Sequence, residues 1–270
     1  MDCFSGTDYL SKFNCKTYSQ TFYSSPRDGD VEAGALEFVL TCLNAFYKRY
    51  NSKWDKHSAR ILEFGGGCAI FKLISAVPYT KEIVFATYTE NERREVELWR
   101  ENKDGAHNWS PFFKYIVNEL EGGEVNECGW KEREQLLRRT MKAIIPCDIT
   151  EEYPLGVQEE PFEIVSTNLC LEVACKSYME YKAAVKKLAG LLKLGGFMTM
   201  TVVERETYYM VGQDKWYCLY LTLSQVIEAL EEAGFVVLEA KRDPAPQQQI
   251  QNPTVADCKA FLFIAAQKVN

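Results

Sequence analysis

Three groups of residues in this chain have types and spacings that can do chemistry. Gly65-Gly66-Gly67 follows directly on the apolar run Arg60-Ile-Leu-Glu-Phe. Glycine in that place lets backbone approach a ligand closely, because no Cβ stands in the way and a positive φ costs little. Glu172, in Leu-Cys-Leu-Glu, and Glu206, in Val-Glu-Arg-Glu-Thr-Tyr-Tyr, each stand just past a predicted strand. Two acids at one edge of a sheet can bind a cationic ligand group and take up its proton. The third group is ten cysteines and two histidines, His57 and His107. No C-x-x-C pair occurs and neither histidine is spaced near a cysteine pair, so no metal site and no disulfide scaffold is expected. Free thiols in a reducing compartment are the simpler reading. Cys170 and Cys175 read as packing residues, since no histidine is placed to activate either.

The surroundings of the glycine loop narrow its ligand. A dinucleotide fingerprint would want a third glycine at position 70, where Ile70 stands, and no Lys-Ser/Thr follows as in a phosphate loop. A ligand that presents a pyrophosphate is therefore not expected. The net charge of −7, with Lys and Arg scattered among acids, argues against nucleic acid. No run approaches ~18 consecutive apolar residues, and the first residues lack a basic stretch followed by an apolar core. A soluble, cytoplasmic protein is expected, with no membrane partner and no sign of an obligate assembly, hence a monomer.

Elements that could hold these residues follow from periodicity. Leu36, Val39, Leu40, Leu43 and Phe46 repeat at helical spacing and predict a helix over 32–49. Strands are predicted at 60–64, 82–87, 143–148, 162–167 and 197–203, with helices at 70–76, 90–102, 177–192 and 223–233 between or after them. The 177–192 helix is expected to stop at Gly195-Gly196. Two helices, 109–120 and 130–143, form an insertion over 103–142. The last two strands, 235–240 and 259–267, have only a Gln- and Pro-rich linker between them and should run antiparallel. Residues 1–30 read as irregular and aromatic-rich. The expected fold is one α/β domain over 1–270, with a mainly parallel seven-stranded sheet, helices on both faces and a C-terminal antiparallel pair. Ligands of such sheets lie beyond the carboxyl ends of the strands.

Within that frame, residues 61–76 (Ile-Leu-Glu-Phe-Gly-Gly-Gly-Cys-Ala-Ile-Phe-Lys-Leu-Ile-Ser-Ala) resemble the glycine motif of the nicotinamide, phenylethanolamine and indolethylamine N-methyltransferases. The likeness continues, in order, through 88–99, Asn108-Trp-Ser-Pro111, Cys147-Asp-Ile-Thr150, 169–175, 191–196 and Tyr208-Tyr-Met-Val-Gly212. It implies a Rossmann-like class I methyltransferase that uses S-adenosylmethionine and releases S-adenosylhomocysteine. It also implies that residues 1–50 form a lid and helices over the cofactor. By position, Tyr18 and Tyr23 should close over the cofactor, and Gly65, Gly66 and Gly67 should pass under its methionine moiety. Phe71 falls at a family tyrosine position. Thr87, Tyr88 and Glu92 should border the ribose, Asp148 and Ile149 should flank the adenine, and Asn168 and Leu169 should lie near the sulfonium.

For the acceptor, the resemblance matches Glu172 and Glu206 to the acid pair with which the phenylethanolamine branch holds its amine. Arg27 and Tyr209 match residues near the acceptor in that branch. The expected substrate is a small arylalkylamine-like amine or a pyridine. The departures are Thr87, where the family has a ribose-binding aspartate, with Glu92 at a nearby asparagine position, and Gly-Gly-Cys where it has Ser-Gly-Pro. Threonine offers the ribose one hydroxyl, whereas a carboxylate accepts from both ribose hydroxyls. Those departures keep open a second reading, a non-catalytic or altered-cofactor relative that retains the fold as a small-molecule binding protein. A nicotinamide-dinucleotide oxidoreductase is set aside, because the third glycine and the acid after the second strand are both missing.

Overall fold

The computed structural model describes residues 3–27, 34–122, 127–251 and 253–270. Seven strands form one sheet: β1 (Arg60–Phe64), β2 (Glu82–Thr87), β3 (Met141–Pro146), β4 (Phe162–Asn168), β5 (Leu192–Glu204), β8 (Phe235–Pro244) and β9 (Ala260–Lys268). Their order across the sheet is β3-β2-β1-β4-β5-β9-β8, with only β9 antiparallel to its neighbours β5 and β8. A separate hairpin pairs β6 (Tyr208–Val211) with β7 (Asp214–Tyr217). The sequence reading missed this hairpin.

Strands β1 and β2 are buried almost throughout, as befits parallel strands covered on both faces. Alternate residues feed opposite layers. Ile61, Ile83 and Phe85 join the layer of α3 (Ala35–Tyr50), α4 (Glu90–Arg100), α5 (Ser110–Lys114) and α6 (Glu127–Thr140). Leu62, Phe64, Val84 and Ala86 join that of α7 (Leu171–Ala174), α8 (Tyr178–Gly190) and α9 (Leu223–Glu232). A short α10 (Gln247–Gln251) sits in the linker before β9.

Several boundaries differ from the sequence reading for visible reasons. In place of the expected helix over 70–76 stands one 3-10 turn, Phe71–Leu73, and a second, Val77–Tyr79, with Pro78 in its first turn, follows beyond it. Helix α8 ends at Gly190, and Gly195-Gly196 lies inside β5, where the register against β4 shifts. A Cβ on Gly196 would stand 3.0 Å from the Glu163 carbonyl oxygen, so that glycine serves strand contact and not a helix stop. The 109–120 helix is α5 followed by a π-helical turn, Tyr115–Leu120, and β3 begins at Met141, two residues early. The start of the helix expected from residue 32 lies outside the described residues.

The N-terminal segment is more ordered than its composition suggested. It holds α1 (Asp8–Lys12) and α2 (Cys15–Phe22), the latter capped by the Asn14 side chain accepting from the Thr17 N–H at 3.0 Å. Before α1, Phe4 pairs with the free edge of the hairpin. Its N–H donates to the Lys215 carbonyl at 2.8 Å, and its carbonyl accepts from the Tyr217 N–H at 2.9 Å. Tyr9 and Phe13 pack on Trp216, ring centres 4.4 and 5.3 Å away. The terminus and the hairpin thus form one aromatic roof over the carboxyl ends of the strands.

Candidate active site

A cavity of about 760 Å³ opens at the carboxyl edge of the sheet, around the point between β1 and β4 where strand order reverses. Its floor is the glycine loop. Gly65 and Gly67 have φ of +69° and +62°. The three glycines serve different ends: a Cβ on Gly65 would meet the Cys170 sulfur at 2.0 Å, and one on Gly66 the Phe85 ring at 2.3 Å. At Gly67 the nearest atom is a Glu92 oxygen at 3.9 Å, so this residue leaves room on the cavity side.

Of the residues expected at the cofactor, Tyr18, Tyr23, Gly65, Gly66, Gly67, Thr87, Tyr88, Glu92, Asp148, Ile149, Asn168 and Leu169 all line this cavity. Tyr18 and Tyr23 face each other with hydroxyls 3.1 Å apart. Leu169, at the end of β4, adopts the left-handed region at φ 53°, a strained state for a leucine and common at functional sites. Asp148 spends one carboxylate oxygen on its own turn, accepting from the Thr150 N–H at 2.9 Å and hydroxyl at 2.6 Å. Phe71 does not line the cavity; it stacks between Tyr23, Trp109 and Phe112.

The corner expected to border the ribose has a definite arrangement. The Thr87 hydroxyl donates to Glu92 Oε2 at 2.8 Å, and the Thr89 N–H donates to the same oxygen at 2.9 Å. The second bond belongs to a capping box that starts α4, since Thr89 Oγ1 accepts from the Glu92 N–H. Both contacts fall on one oxygen, which turns Oε1 toward Gly67. Burial raises the Glu92 carboxyl above its usual range, partly offset by these donors.

A second cavity, of about 40 Å³, adjoins the first across Tyr18, Leu169, Val173 and Tyr209, which line both. Glu172 and Glu206 line it with Val203. Both acids are buried, Glu172 to 1% exposure and Glu206 to 4%. Burial pushes Glu172 up to about 7, against the pull of backbone N–H donors such as that of Val203 at 3.2 Å. The Cys218 thiol hydrogen-bonds Glu206 and is itself held well above its ordinary value by burial. The fold therefore brings together the two acids that the sequence reading paired. Tyr209 stands between the cavities and shares a very short hydroxyl–hydroxyl contact with Tyr9. Arg27 lines neither cavity. It ion-pairs with Glu37 and Glu119 and lies 4.9 Å over the Tyr115 ring, so its position gives no support to an acceptor role.

The sequence reading also missed cavity residues: Tyr9 and Phe13 of the roof, Lys72 below the glycine loop, and Cys147, Cys170 and Cys175. Cys170 is the atom that forbids a side chain at Gly65, and burial raises its thiol well above the ordinary range, in keeping with packing. Lys72 could have been suspected: Glu63 in an apolar central strand demands a cation, and Lys72 is nine residues on.

The strand order and the site at its switch point define an S-adenosylmethionine-dependent methyltransferase fold. A solved methyltransferase of that kind from Methanosarcina mazei superposes with a TM-score of 0.55 at 12% identity, covering 83% of this chain and 98% of its own. Within that class the chain belongs to the NNMT/PNMT/TEMT family, whose sequence profile matches residues 2–269. It is 34% identical over 230 residues to nicotinamide N-methyltransferase of Sus scrofa, covering 85% of this chain and 84% of that one. It is 31% identical over 264 residues to indolethylamine N-methyltransferase of Oryctolagus cuniculus, covering 97% and 96%.

Proposed function

We propose that this chain is an S-adenosylmethionine-dependent N-methyltransferase acting on the nitrogen of a small, positively charged amine. We further propose that it works as a cytoplasmic monomer, one domain over 1–270 with residues 1–50 as lid and 103–142 as insertion. Among the described residues, no helix is long and apolar enough to cross a membrane. The observation that carries the reading is the burial of Glu172 and Glu206 in one small cavity, divided from the large one only by Tyr18, Leu169, Val173 and Tyr209.

The large cavity fits the cofactor in size and in chemistry. Glu92, fixed by Thr87 and Thr89, supplies the carboxylate that position 87 lacks and suits the ribose hydroxyls. Asp148 and Ile149 suit the adenine, Gly65 to Gly67 the methionine chain, and Asn168 and Leu169 the sulfonium end. When bound, the cofactor supplies an electrophilic methyl group. The protein's own residues do the rest. Glu172 and Glu206 hold the ammonium, and the one with the raised affinity for protons, Glu172, takes up the proton that must leave before nitrogen can attack. Tyr209 and Tyr18 line the passage between donor and acceptor and exclude water from it.

One observation favours a second acceptor. With its carboxyl near 7, Glu172 is about half neutral at neutral pH, and a neutral acid tolerates an uncharged pyridine. Identity to a nicotinamide enzyme points the same way.

Isothermal titration with S-adenosylhomocysteine tests the cofactor half. Wild type should bind, and Thr87→Asp should bind more weakly, because a second carboxylate would crowd Glu92. No heat at millimolar concentration would overturn the assignment, and tighter binding by Thr87→Asp would remove Glu92 from the ribose.

A further inference from the structure

Beneath the glycine loop lies a buried ion pair that the amine chemistry does not use. The Lys72 side chain is 4% exposed and Glu63 is fully buried. The Lys72 ammonium has three acceptors, each at 3.4 Å: Glu63 Oε1, the Gly66 carbonyl and the Asn168 carbonyl. A charge-assisted N–H···O bond normally closes to ~2.7–2.9 Å. The cation therefore sits slack, where the turn after β1 meets the end of β4. Gly66, Asn168 and Lys72 itself all line the large cavity.

The pair is also incomplete from the other side. Glu63 Oε2 has no close hydrogen-bond partner, and burial holds the carboxyl above its usual range despite Lys72, Ser166 and Asn168. A buried charge is stabilised only when its hydrogen bonds are well made, and three long ones leave Lys72 able to accept a stronger anion. The neighbouring position deepens the point. Phe71 carries no hydroxyl where the family resemblance has a tyrosine, and it is turned away into an aromatic stack. The cavity gains a full positive charge one residue further on.

We propose that Lys72 is a carboxylate-binding residue: its ammonium receives the α-carboxylate of the ligand's amino-acid moiety, so the protein prefers adenosyl thioethers with a free carboxylate to those without. The step is binding only, and no bond is made or broken. This inference rests on the reading of the large cavity as an S-adenosylmethionine site, and it names the group that recognises one end of that ligand. Glu63 remains paired with the ammonium at 3.4 Å. Tyr18 and Tyr23 bound the cavity from the roof. A thioether lacking the carboxylate leaves Lys72 with only its three long contacts.

The test is isothermal titration of the full chain with three ligands that share the adenosyl thioether. S-adenosylhomocysteine carries both amino-acid groups, its decarboxylated analogue keeps only the amine, and 5′-methylthioadenosine has neither. Wild type should bind the first at least about tenfold more tightly than the other two. Lys72→Gln should erase that preference by weakening S-adenosylhomocysteine about tenfold, while methylthioadenosine changes less than about twofold. Because Lys72→Gln strands Glu63, the double variant Glu63→Gln/Lys72→Gln is measured alongside, with its melting temperature, and should show the same loss of preference. A variant that keeps the preference, or one that loses all three ligands in parallel, overturns the carboxylate site. Equal binding of the three by wild type overturns it too, yet leaves the cofactor reading standing. Failure of wild type to bind any of them brings down both.

Discussion

The two cavities that meet at Tyr209 are built by different means. The large one is walled mostly by turns that leave the strands: the glycine loop after β1, Thr87 to Glu92 after β2, Asp148 after β3, Asn168 and Leu169 after β4. Its positions are fixed by parallel pairing and by a capping box, so each group is anchored within a few residues of a strand. The small one is enclosed by side chains that arrive from far apart. Glu172 comes from α7, Glu206 from the turn before the hairpin, Tyr209 from β6, where the roof residue Tyr9 meets its hydroxyl, and Tyr18 from the N-terminal roof. One half is a property of the sheet, and the other depends on how the roof is seated. Damage to the first should be felt by cofactor and fold, and damage to the second by the acceptor alone.

The sharpest way to separate the halves is to neutralise an acid. Truncating one member of a desolvated charge pair typically costs ~2–5 kcal/mol. Glu206→Gln is expected to lose turnover with amines on that scale while its calorimetric affinity for S-adenosylhomocysteine stays near wild type. Glu172→Gln should do the same, and the double variant should lose little more if, as proposed, both acids act on one nitrogen. Full additivity, or an equal loss of cofactor affinity, would mean the halves are not separate.

Within the large cavity, the glycines allow a finer cut. Gly66→Ala should destabilise the protein by ~1–3 kcal/mol, seen as a lower melting temperature without ligand, since its Cβ meets the Phe85 ring at 2.3 Å. Gly67→Ala meets no atom closer than 3.9 Å but holds φ at +62°, so it should cost about 1 kcal/mol and act mainly on cofactor affinity. A reversal of those two outcomes would reassign which glycine faces the ligand.

A pH titration probes the small cavity without mutation. Glu172, at about 7 in the folded chain, keeps a proton that the unfolded chain releases near the ordinary carboxylate value of 4.5. Its ionisation therefore removes stability as pH rises from about 4.5 through 7, and its negative charge becomes available to a cation only above that window. Affinity for a quaternary ammonium probe, whose charge does not titrate, should fall as pH drops from 8 to 6, by up to about tenfold. The same titration on Glu172→Gln should be flat.

The smallest expected effect is that of Tyr9→Phe. Removing one hydroxyl from the Tyr9–Tyr209 contact costs about 1 kcal/mol. It should raise the amine KM severalfold and leave the cofactor Kd less changed. Equal shifts in both would make the roof common to the two cavities and not part of the acceptor side.

The same contrast governs what could be read without coordinates. The glycine loop, the strand-end residues Asp148 and Asn168, and the antiparallel end of the sheet are local in sequence. A strand followed by glycine, or by a cap, announces itself within a few residues. Glu172 and Glu206 were also legible, because each follows a strand at the ligand edge. The roof was not. Residues 3–22 carry a high share of aromatics but no long period, and their order comes from pairing with a hairpin two hundred residues away. Arg27, matched by position to an acceptor residue, stands with Glu37 and Glu119, a pairing that no local pattern announces. Lys72 was missed although Glu63 in an apolar strand calls for a cation, and its burial beside Glu63 marks it as that partner.

The central claim is that this chain moves a methyl group to a charged amine held by Glu172 and Glu206. Labelled methyl transfer from S-adenosylmethionine, run on wild type with a panel of primary and secondary arylalkylamines beside nicotinamide, tests it most directly. The account expects methylated amine as the main product and nicotinamide as the poorer acceptor, because a pyridine offers no ammonium to satisfy both carboxylates. A preference for nicotinamide, or no transfer to any acceptor by a protein that binds the cofactor, would contradict it.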